Sequence, residues 1–223
     1  MLTKDGIIKK VEALSFDNVR RSGLIAITLK KEDSLRWAKL TGGQDELVLV
    51  TKKGQSVRFS EKDVRAMGRQ AAGVRALRLK NGDEVVGMDV MKNSKLLIRP
   101  SRQALGKTQN VPIIPRTLEG KAIGAKLLVV MENGYGKHTS LKQYKKQRRG
   151  GSGIKTAKVT SKTGNVIGAM IVSEEEEELI AISRKGQVIR TSLATIPVLG
   201  RATQGVRIMR MEEGDAVASI TTL

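Results

Sequence analysis

The chain has 223 residues, a formal net charge of +19 at pH 7, no cysteine and one histidine. The lack of cysteine excludes disulfides and thiolate metal sites, and a single histidine excludes a histidine-rich metal centre. Since there is no run of eighteen apolar residues and no charged start leading into an apolar stretch, we expect a cytoplasmic protein without membrane segments.

A glycine followed four residues later by a basic side chain occurs four times along the chain. We call these the turn glycines: Gly6, Gly54, Gly134 and Gly186, followed by Lys10, Arg58, His138 and Arg190. A second glycine, here called the landmark glycine, lies 17 residues after the first turn glycine and 19 after the others, at Gly23, Gly73, Gly153 and Gly205. A pattern that returns after about fifty residues predicts a propeller or solenoid of repeated units.

Short aliphatic runs predict β-strands in every unit. In chain order they are residues 23–29, 46–50, 126–130 and 179–182, and hairpin turns are predicted at 80–83 and 212–215. Helical periodicity is nearly absent, although 61–67 and 141–146 could each form a turn or two. We predict an all-β fold, one domain over residues 1–223, with four four-stranded blades in a ring that need not close. The blades, numbered as units 1 to 4, are expected at about 1–45, 46–90, 127–172 and 179–223.

The regular spacing is interrupted once, between units 2 and 3. Residues 91–126 hold three of the four prolines and many basic residues, which predicts a basic insertion or a degenerate partial blade. Residues 101–108 resemble a phosphate-binding loop, but Ser101 replaces its first glycine, and Pro112 and Pro115 exclude the helix that should follow. The acidic run 174–178 predicts a solvated loop between units, or a competitor for the basic surface.

The positive charge is concentrated in the middle of the chain. The net charge is +6 over residues 1–90, +15 over 91–170 and −2 over 171–223. Such an excess favours a polyanionic partner. Only five residues are aromatic, too few for the base stacking that single-strand binders use, so the composition favours phosphate contacts to a duplex.

The segment best suited to bind phosphate is residues 147–153, which we call the box: Gln147, Arg148, Arg149, Gly150, Gly151, Ser152 and Gly153. Its glycines allow close approach of the backbone, and its arginines supply forked donors. Each unit also has an arginine three or four residues before its landmark glycine, and units 2 to 4 have basic residues two and five residues after it. The residues predicted to contact DNA are Lys10, Arg20, Arg21, Arg58, Arg69, Arg75, Arg78, Lys137, His138, Lys145, Lys146, Arg148, Arg149, Lys155, Lys158, Arg190, Arg201, Arg207 and Arg210.

Several motifs in the same order resemble the C-terminal domain family of the bacterial DNA gyrase A subunit. They are residues 52–59, 64–68 with 73–75, 132–137 and 198–206. The resemblance implies a β-pinwheel whose basic rim wraps duplex DNA and so supports ATP-dependent negative supercoiling. The box is similar to the family's Gln-Arg-Arg-Gly-Gly-Lys-Gly, with Ser152 in place of lysine. Family members carry six blades with the box on the first, so the chain resembles the last four blades of a longer protein.

The resemblance also implies the partners and the division of labour. Besides double-stranded DNA, the partners would be a gyrase B subunit and a second A subunit, at the chromosome in the cytoplasm. The chain itself would have no catalytic residue, no metal and no cofactor, because the catalytic tyrosine, ATP and Mg²⁺ belong to other parts of the holoenzyme. Three alternatives remain open: a stand-alone architectural DNA-binding protein, the homologous domain of topoisomerase IV, and a propeller scaffold for proteins. The scarcity of aromatic residues disfavours the scaffold.

Overall fold

The computed structural model describes residues 1–19, 21–92, 124–173 and 176–223. Arg20, the predicted insertion apart from its ends, the loop at 101–108 and residues 174–175 lie outside this part of the chain. The strands are β1 (Leu2–Thr3), β2 (Ile7–Ile8), β3 (Leu35–Trp37), β4 (Glu46–Thr51), β5 (Gln55–Ser60), β6 (Val74–Arg75), β7 (Val85–Met91), β8 (Lys126–Met131), β9 (Tyr135–Ser140), β10 (Ile154–Lys155), β11 (Val166–Val172), β12 (Glu178–Ser183), β13 (Val188–Ser192), β14 (Val206–Arg207) and β15 (Val217–Thr222).

The helical content of the described residues consists of four short 3₁₀ helices. They span Ala13–Phe16, Glu61–Asp63, Leu141–Gln143 and Leu193–Thr195. In the last three, the side chain of the preceding serine accepts a hydrogen bond from the second residue of the helix and so caps its first turn. The predicted all-β class is confirmed, as are the turns at 61–67 and 141–146.

The strands form four antiparallel sheets, one for each unit. Sheet 1 has the order β3-β1-β2-β6, sheet 2 β10-β5-β4-β7, sheet 3 β11-β8-β9-β14 and sheet 4 β13-β12-β15. Four blades were predicted and are found, with three strands rather than four in sheet 4. Among the described residues no strand of sheet 1 pairs with one of sheet 4, so the sheets form an open series.

Each of units 2 to 4 contributes one short strand to the sheet of the unit before it. The sequence patterns did not reveal this strand exchange. Strands β6, β10 and β14 each follow a landmark glycine, yet each pairs with the sheet of the preceding unit. The landmark glycines have positive φ, +74° at Gly153 for example. A Cβ atom there would lie 2.4 Å from the carbonyl oxygen of Ser56, so a side chain has no room at this junction.

The predicted strand at 23–29 is wrong. This segment is the counterpart of β6, β10 and β14, but none of its residues belongs to a strand in the structure. The physical reason lies in the exchange. The partner of such a segment is the sheet of a preceding unit, and no described sheet occupies that place beside unit 1.

The core consists of three apolar layers between consecutive sheets. Leu47 and Leu49 of β4 face sheet 1, whereas Val48 and Val50 of the same strand face sheet 3. The third layer joins sheets 3 and 4 and includes Leu128. Because both faces of β4 and β8 are covered, these strands are continuous aliphatic runs instead of alternating ones. The stacked sheets thereby hold the unit junctions in fixed positions at the edges of the sheets.

Candidate nucleic-acid interface

The box lies against the backbone of unit 2. The amide of Gln147 donates to the carbonyl oxygen of Arg58 at 2.7 Å, and the amide of Gly150 donates to that of Ala76 at 2.6 Å. In the other direction, the amide of Arg78 donates to the carbonyl oxygen of Gly151 at 2.8 Å. These bonds fix the box as a bridge between two units.

Arg149 strengthens this bridge with its side chain. Its Nε donates to the carbonyl oxygen of Asp63 at 2.8 Å, and its Nη1 donates to that of Arg75 at 3.2 Å. Arg148, by contrast, is exposed and makes no hydrogen bond or ion pair with any other described residue. The two adjacent arginines therefore differ in role: Arg149 is held by the fold, and Arg148 is available to a ligand.

The same junction occurs again between units 3 and 4. Arg201 Nη1 donates to the carbonyl oxygen of Lys155 at 2.9 Å, as Arg149 does to Arg75. The amide of Lys158 donates to the carbonyl oxygen of Thr203 at 3.0 Å, as Arg78 does to the box. Each junction thus places an arginine from the later unit beside two basic residues from the earlier one.

The repeated junctions form a row of cations across units 2 to 4, which we call the basic strip. In the described part of the chain none of its members forms an ion pair with a carboxylate, and apart from the half-buried Arg149 and Arg201 all are exposed. Their charge is consequently not neutralised within the protein. The basic strip consists of Arg75, Arg78, Arg148, Arg149, Lys155, Lys158, Arg201, Arg207 and Arg210.

Arg207 also shapes the strip by contacting Tyr135. Its Nη2 donates to the Tyr135 hydroxyl at 3.2 Å, and its guanidinium carbon lies 5.6 Å from the ring centroid. The hydrogen bond from Arg207 lowers the pKa of the Tyr135 phenol, an effect that burial only partly opposes. The phenol orients Arg207 without cancelling its charge, because it stays neutral at pH 7 in most proteins.

The predicted row of DNA contacts after the turn glycines is not a row of free cations, because three of its four side chains are bonded to the next unit. Lys10 Nζ donates to the carbonyl oxygen of Glu61 at 3.1 Å, and Arg58 Nη1 donates to that of Leu141 at 2.9 Å. His138 is 3% exposed, and its Nδ1 donates to the carbonyl oxygen of Ile196 at 3.2 Å. Lys10, Arg58 and His138 therefore join their units to the 3₁₀ helix of the next unit or to the residue directly after it.

The prediction that Lys137 contacts DNA is also wrong, because this residue is fully buried. Its ammonium group donates to the carbonyl oxygens of Gly200 at 2.6 Å and Arg201 at 2.5 Å, and to the Thr203 hydroxyl at 3.0 Å. Burial, aided by the charge of Arg201, lowers the pKa of Lys137 to about 8. Lys137 is an internal anchor for the loop that carries Arg201.

Lys9 plays the same part in unit 1 and was missed in the sequence. It is 1% exposed, and its ammonium group donates to the carbonyl oxygen of Ala26 at 2.8 Å and to that of Arg69. Burial lowers the pKa of Lys9. The signal was present, since Lys9 and Lys137 both lie three residues after a turn glycine. It was overlooked because lysine is seldom fully buried.

Two further predicted contacts are exposed but already paired with acids. Lys146 Nζ lies 3.2 Å from Glu46 Oε1, and Arg190 Nε lies 2.6 Å from Glu178 Oε2. Burial raises the pKa of Glu46, but hydrogen bonds from Arg58 and Lys146 outweigh it, so the net shift is downward. The positive charges of Lys146 and Arg190 are therefore partly neutralised within the protein, unlike those of the strip residues.

The remaining predicted residues of the described chain are not members of the strip. Lys145 and Arg21 are exposed, and Arg69 is half-buried in the loop that Lys9 holds. Lys62 and Lys142, not predicted, are exposed at matching positions of the 3₁₀ helices Glu61–Asp63 and Leu141–Gln143. Their shared offset of eight residues from a turn glycine was the signal that could have revealed them.

Neither a metal-binding cluster nor a membrane-spanning helix is found among the described residues. They contain no group of three or more His, Cys, Asp or Glu side chains placed to hold a metal ion. No helix in the same ranges is long and apolar enough to cross a membrane.

Comparison with known proteins places this geometry in a family. The model of the DNA gyrase C-terminal domain, a beta-propeller, matches residues 1–41, 45–90, 126–173 and 177–223. The DNA gyrase A subunits of Staphylococcus epidermidis and Staphylococcus aureus are each 35% identical to the chain over 218 residues, 98% of its length and 21% of theirs. The chain thus spans about a fifth of the length of these curated relatives.

Solved structures of two C-terminal domains have similar folds. A DNA gyrase A C-terminal domain superposes with a TM-score of 0.76 at 25% identity, covering 99% of this chain and 64% of the other. The C-terminal domain of a DNA topoisomerase IV superposes with a TM-score of 0.81 at 23% identity, covering 100% of this chain and 60% of the other. At that identity the second similarity concerns the fold alone.

Proposed function

The chain belongs to the DNA gyrase C-terminal domain family, and from this premise we propose that it binds duplex DNA along the basic strip and bends the duplex around the edge of its sheets. The observation that carries the proposal is the repeated junction of Arg149 with Arg75 and of Arg201 with Lys155. It sets equivalent cations in successive units, none of them paired with a carboxylate of the described residues. The phosphate backbone of a duplex is a ligand whose repeated negative charges suit such a row of cations.

The physical basis of binding is counterion release. A duplex carries one phosphate charge per about 1.7 Å of axis, so cations that contact phosphates release condensed counterions and gain affinity without reading bases. Backbone amides at the glycines of the box can approach a phosphate closely because no Cβ intervenes. We therefore expect tight binding that tolerates many sequences and weakens steeply with salt.

Bending follows from the placement of the strip on consecutive units. Bending a site of 20–30 bp by 40–90° costs about 1–6 kcal/mol. Contacts from the Arg75, Arg149 and Arg201 regions to one duplex would offset this cost, because each region belongs to a different unit. DNA would then follow the edge of the molecule from unit 2 to unit 4.

In the whole protein we propose that this wrapping serves a type II topoisomerase. The partners would be a gyrase B subunit and a second A subunit, with ATP and Mg²⁺ used by other parts, and the outcome would be negative supercoiling. The chain by itself should cleave no DNA. Tyr144 is buried with its hydroxyl 2.6 Å from Thr156 Oγ1, and Tyr135 is buried with its hydroxyl hydrogen-bonded to Arg207, so neither is available as a nucleophile.

The proposal is tested by ligating nicked circular DNA in the presence of the chain. A wrapped path changes the linking number of the closed product, whereas binding without wrapping leaves it unchanged. Arg148→Ala should reduce the linking change, and Arg190→Ala, which alters an arginine already paired with Glu178, should not. An unchanged linking number at saturating protein would overturn wrapping. The same assay applies to the topoisomerase IV and architectural alternatives, which differ in the attached domains.

A further inference from the structure

Tyr135 brings together two cations that come from different units. Its ring centroid lies 5.7 Å from Lys162 Nζ of unit 3 and 5.6 Å from the guanidinium carbon of Arg207 of unit 4. Both cationic side chains are exposed, whereas Tyr135 is buried. The pKa of the Tyr135 phenol is lowered chiefly by the hydrogen bond from Arg207 and to a smaller extent by the charge of Lys162, so both cations act on the same group. Of the two, Lys162 is not a member of the basic strip.

The strand register explains why the ring meets Arg207. Arg207 of β14 lies directly opposite Tyr135 of β9. At the two earlier junctions the residues opposite the equivalent cation of the strip are Gln55 and Ile7. Among the described junctions, an aromatic partner for this cation is therefore found only between units 3 and 4.

A longer hairpin places Lys162 beside the ring. Strand β11 begins 13 residues after its landmark glycine, whereas β7 and β15 begin 12 residues after theirs. In units 2 and 4, Gly82 and Gly214 occupy the place of Lys162, with φ angles of +67° and +69° that favour glycine. In the unit-3 hairpin the left-handed residue is instead Gly164, at φ +68°. The extra residue thus frees position 162 for a side chain.

Asn133 fixes this hairpin from the adjoining turn. Its Nδ2 donates to the carbonyl oxygens of Ser161 and Lys162, each at 3.1 Å. At the same place in units 2 and 4, Lys53 and Lys185 use their ammonium groups to bind a hairpin carbonyl oxygen. In unit 3 a neutral amide takes this part, so the ammonium group of Lys162 is not needed to hold the hairpin.

The protein does not neutralise either cation. In the described ranges neither Lys162 nor Arg207 forms an ion pair with a carboxylate. Glu132, in the same turn as Tyr135, has its oxygens directed elsewhere: Oε1 lies 3.8 Å from Arg184 and Oε2 accepts from the Asn165 amide at 2.8 Å. Two like charges held near one ring repel each other. An anion bound between them would replace this repulsion by attraction.

We propose that Lys162 and Arg207 bind the same phosphate group of the duplex, and that Tyr135 positions both side chains for it. The inference rests on the proposed function, because it adds a contact to the basic strip. Arginine offers a planar fork of N–H donors and lysine a compact point charge, so the two can bind different oxygens of one phosphate. The site extends the strip from the junction onto the unit-3 hairpin.

Duplex affinity, measured by fluorescence anisotropy, tests the shared phosphate. Lys162→Ala and Arg207→Ala should each weaken binding about tenfold, since each removes a hydrogen bond to a charged group. The variant with both changes should lose clearly less than the product of the single losses, because the two side chains share one contact. Lys52→Ala, which removes a lysine paired with Glu84, is the control and should leave affinity unchanged. Single losses that multiply, or an unchanged affinity in Lys162→Ala, would overturn the proposal.

Tyr135→Phe tests the positioning role, because it keeps the ring and removes the hydroxyl that holds Arg207. We expect it to weaken duplex binding severalfold. Tyr144→Phe is the matched control, since it also removes a buried hydroxyl, one bonded to Thr156, and should leave affinity unchanged even if it lowers the melting temperature. Thermal melting of both variants checks that they fold. Equal affinities of Tyr135→Phe, Tyr144→Phe and the unaltered chain would show that Tyr135 positions nothing for DNA.

Arg148→Ala, measured in the same assay, separates this inference from the proposed function. If Arg148→Ala weakens binding and Lys162→Ala does not, the strip binds DNA and the site at Lys162 is wrong. If neither variant weakens binding, both the site and the proposed function are wrong. Weaker binding in both variants, with the shared loss described above, is the result that we predict.

Discussion

Arg149 donates a hydrogen bond from Nη1 to the carbonyl oxygen of Arg75 at 3.2 Å, and so links the box to the preceding unit. The bond sets the side chains of two units beside each other on one surface. It also uses part of the Arg149 fork, which leaves Arg148 as the box residue with a fully free guanidinium. Within the box, we therefore expect Arg148 to contribute to DNA affinity and Arg149 to hold the junction between units.

We predict that Arg148→Ala weakens duplex binding without altering the fold, because the exposed Arg148 side chain forms no hydrogen bond or ion pair with a described residue. Arg149→Lys should weaken binding and also lower the melting temperature, since lysine cannot reproduce the two bonds to Asp63 and Arg75. Fluorescence anisotropy and thermal melting measure the two properties. Equal losses of melting temperature in both variants would contradict the division of roles.

Gly153 should tolerate substitution far less than Gly151 does. A Cβ at Gly153 would lie 2.4 Å from the carbonyl oxygen of Ser56 and would occupy a residue with positive φ, whereas the nearest atoms to a Cβ at Gly151 are 4.0 Å away. We expect Gly153→Ala to reduce the free energy of unfolding by more than about 1 kcal/mol. Gly151→Ala should change it little. Urea denaturation of both variants measures the difference, and similar losses would refute the role of the landmark glycine.

The sequence predicted the four blades, because the paired glycines and aliphatic runs recur with each unit. It did not predict the exchange of β6, β10 and β14, because strands of two residues leave no periodic pattern. Burial of Lys137 and His138 escaped prediction for another reason. Their partners lie 63 and 58 residues later, at Gly200 and Ile196, so the cause of burial is tertiary.

The candidate site could be predicted only in part, again because tertiary contacts decide which side chains are buried. The basic residues near the landmark glycines emerged as the strip because their exposure follows from their place at unit junctions. Lys10, Arg58 and His138, which follow turn glycines, face the next unit instead, and only the stacking of sheets decides which way they point. The predicted strand at 23–29 failed because a strand needs a partner as well as a suitable sequence.

His138 should make stability depend on pH. Burial lowers the pKa of His138 from its ordinary value of 6.5, and the hydrogen bond to the Ile196 oxygen offsets this only partly. Just below pH 6.5 the unfolded chain therefore binds more protons than the folded one, and the free energy of unfolding falls as pH falls. Because this is the single histidine, His138→Asn should remove that part of the slope. Urea denaturation between about pH 8 and pH 5 compares the free energies of unfolding of His138→Asn and the unaltered chain. If the free energies of unfolding of the two proteins change in parallel with pH, His138 is not the source of the pH dependence.

Lys137→Met tests the internal anchor of the Arg201 loop. Methionine leaves the carbonyl oxygens of Gly200 and Arg201 without donors, so we expect a loss of about 1–3 kcal/mol in the free energy of unfolding at pH 7. The pKa of Lys137 is about 8 in the folded chain and ordinarily 10.5. Between these values the unfolded chain binds the extra proton, so the stability of the unaltered protein should gain from rising pH through this group. Lys137→Met should lack that gain. If its free energy of unfolding at pH 7 equals that of the unaltered chain, Lys137 does not anchor the loop.

The most direct test of the basic strip is the salt dependence of duplex affinity. The slope of log affinity against log salt should be steep and should decrease by about 0.9 for each phosphate contact removed. Lys155→Ala and Arg210→Ala, which alter exposed strip residues, should each lower the slope. Lys52→Ala should leave the slope unchanged, because Lys52 is not a member of the strip and its Nζ is paired with Glu84 Oε1 at 3.2 Å. Equal slopes for the strip variants, the control and the unaltered chain would contradict phosphate binding by the strip.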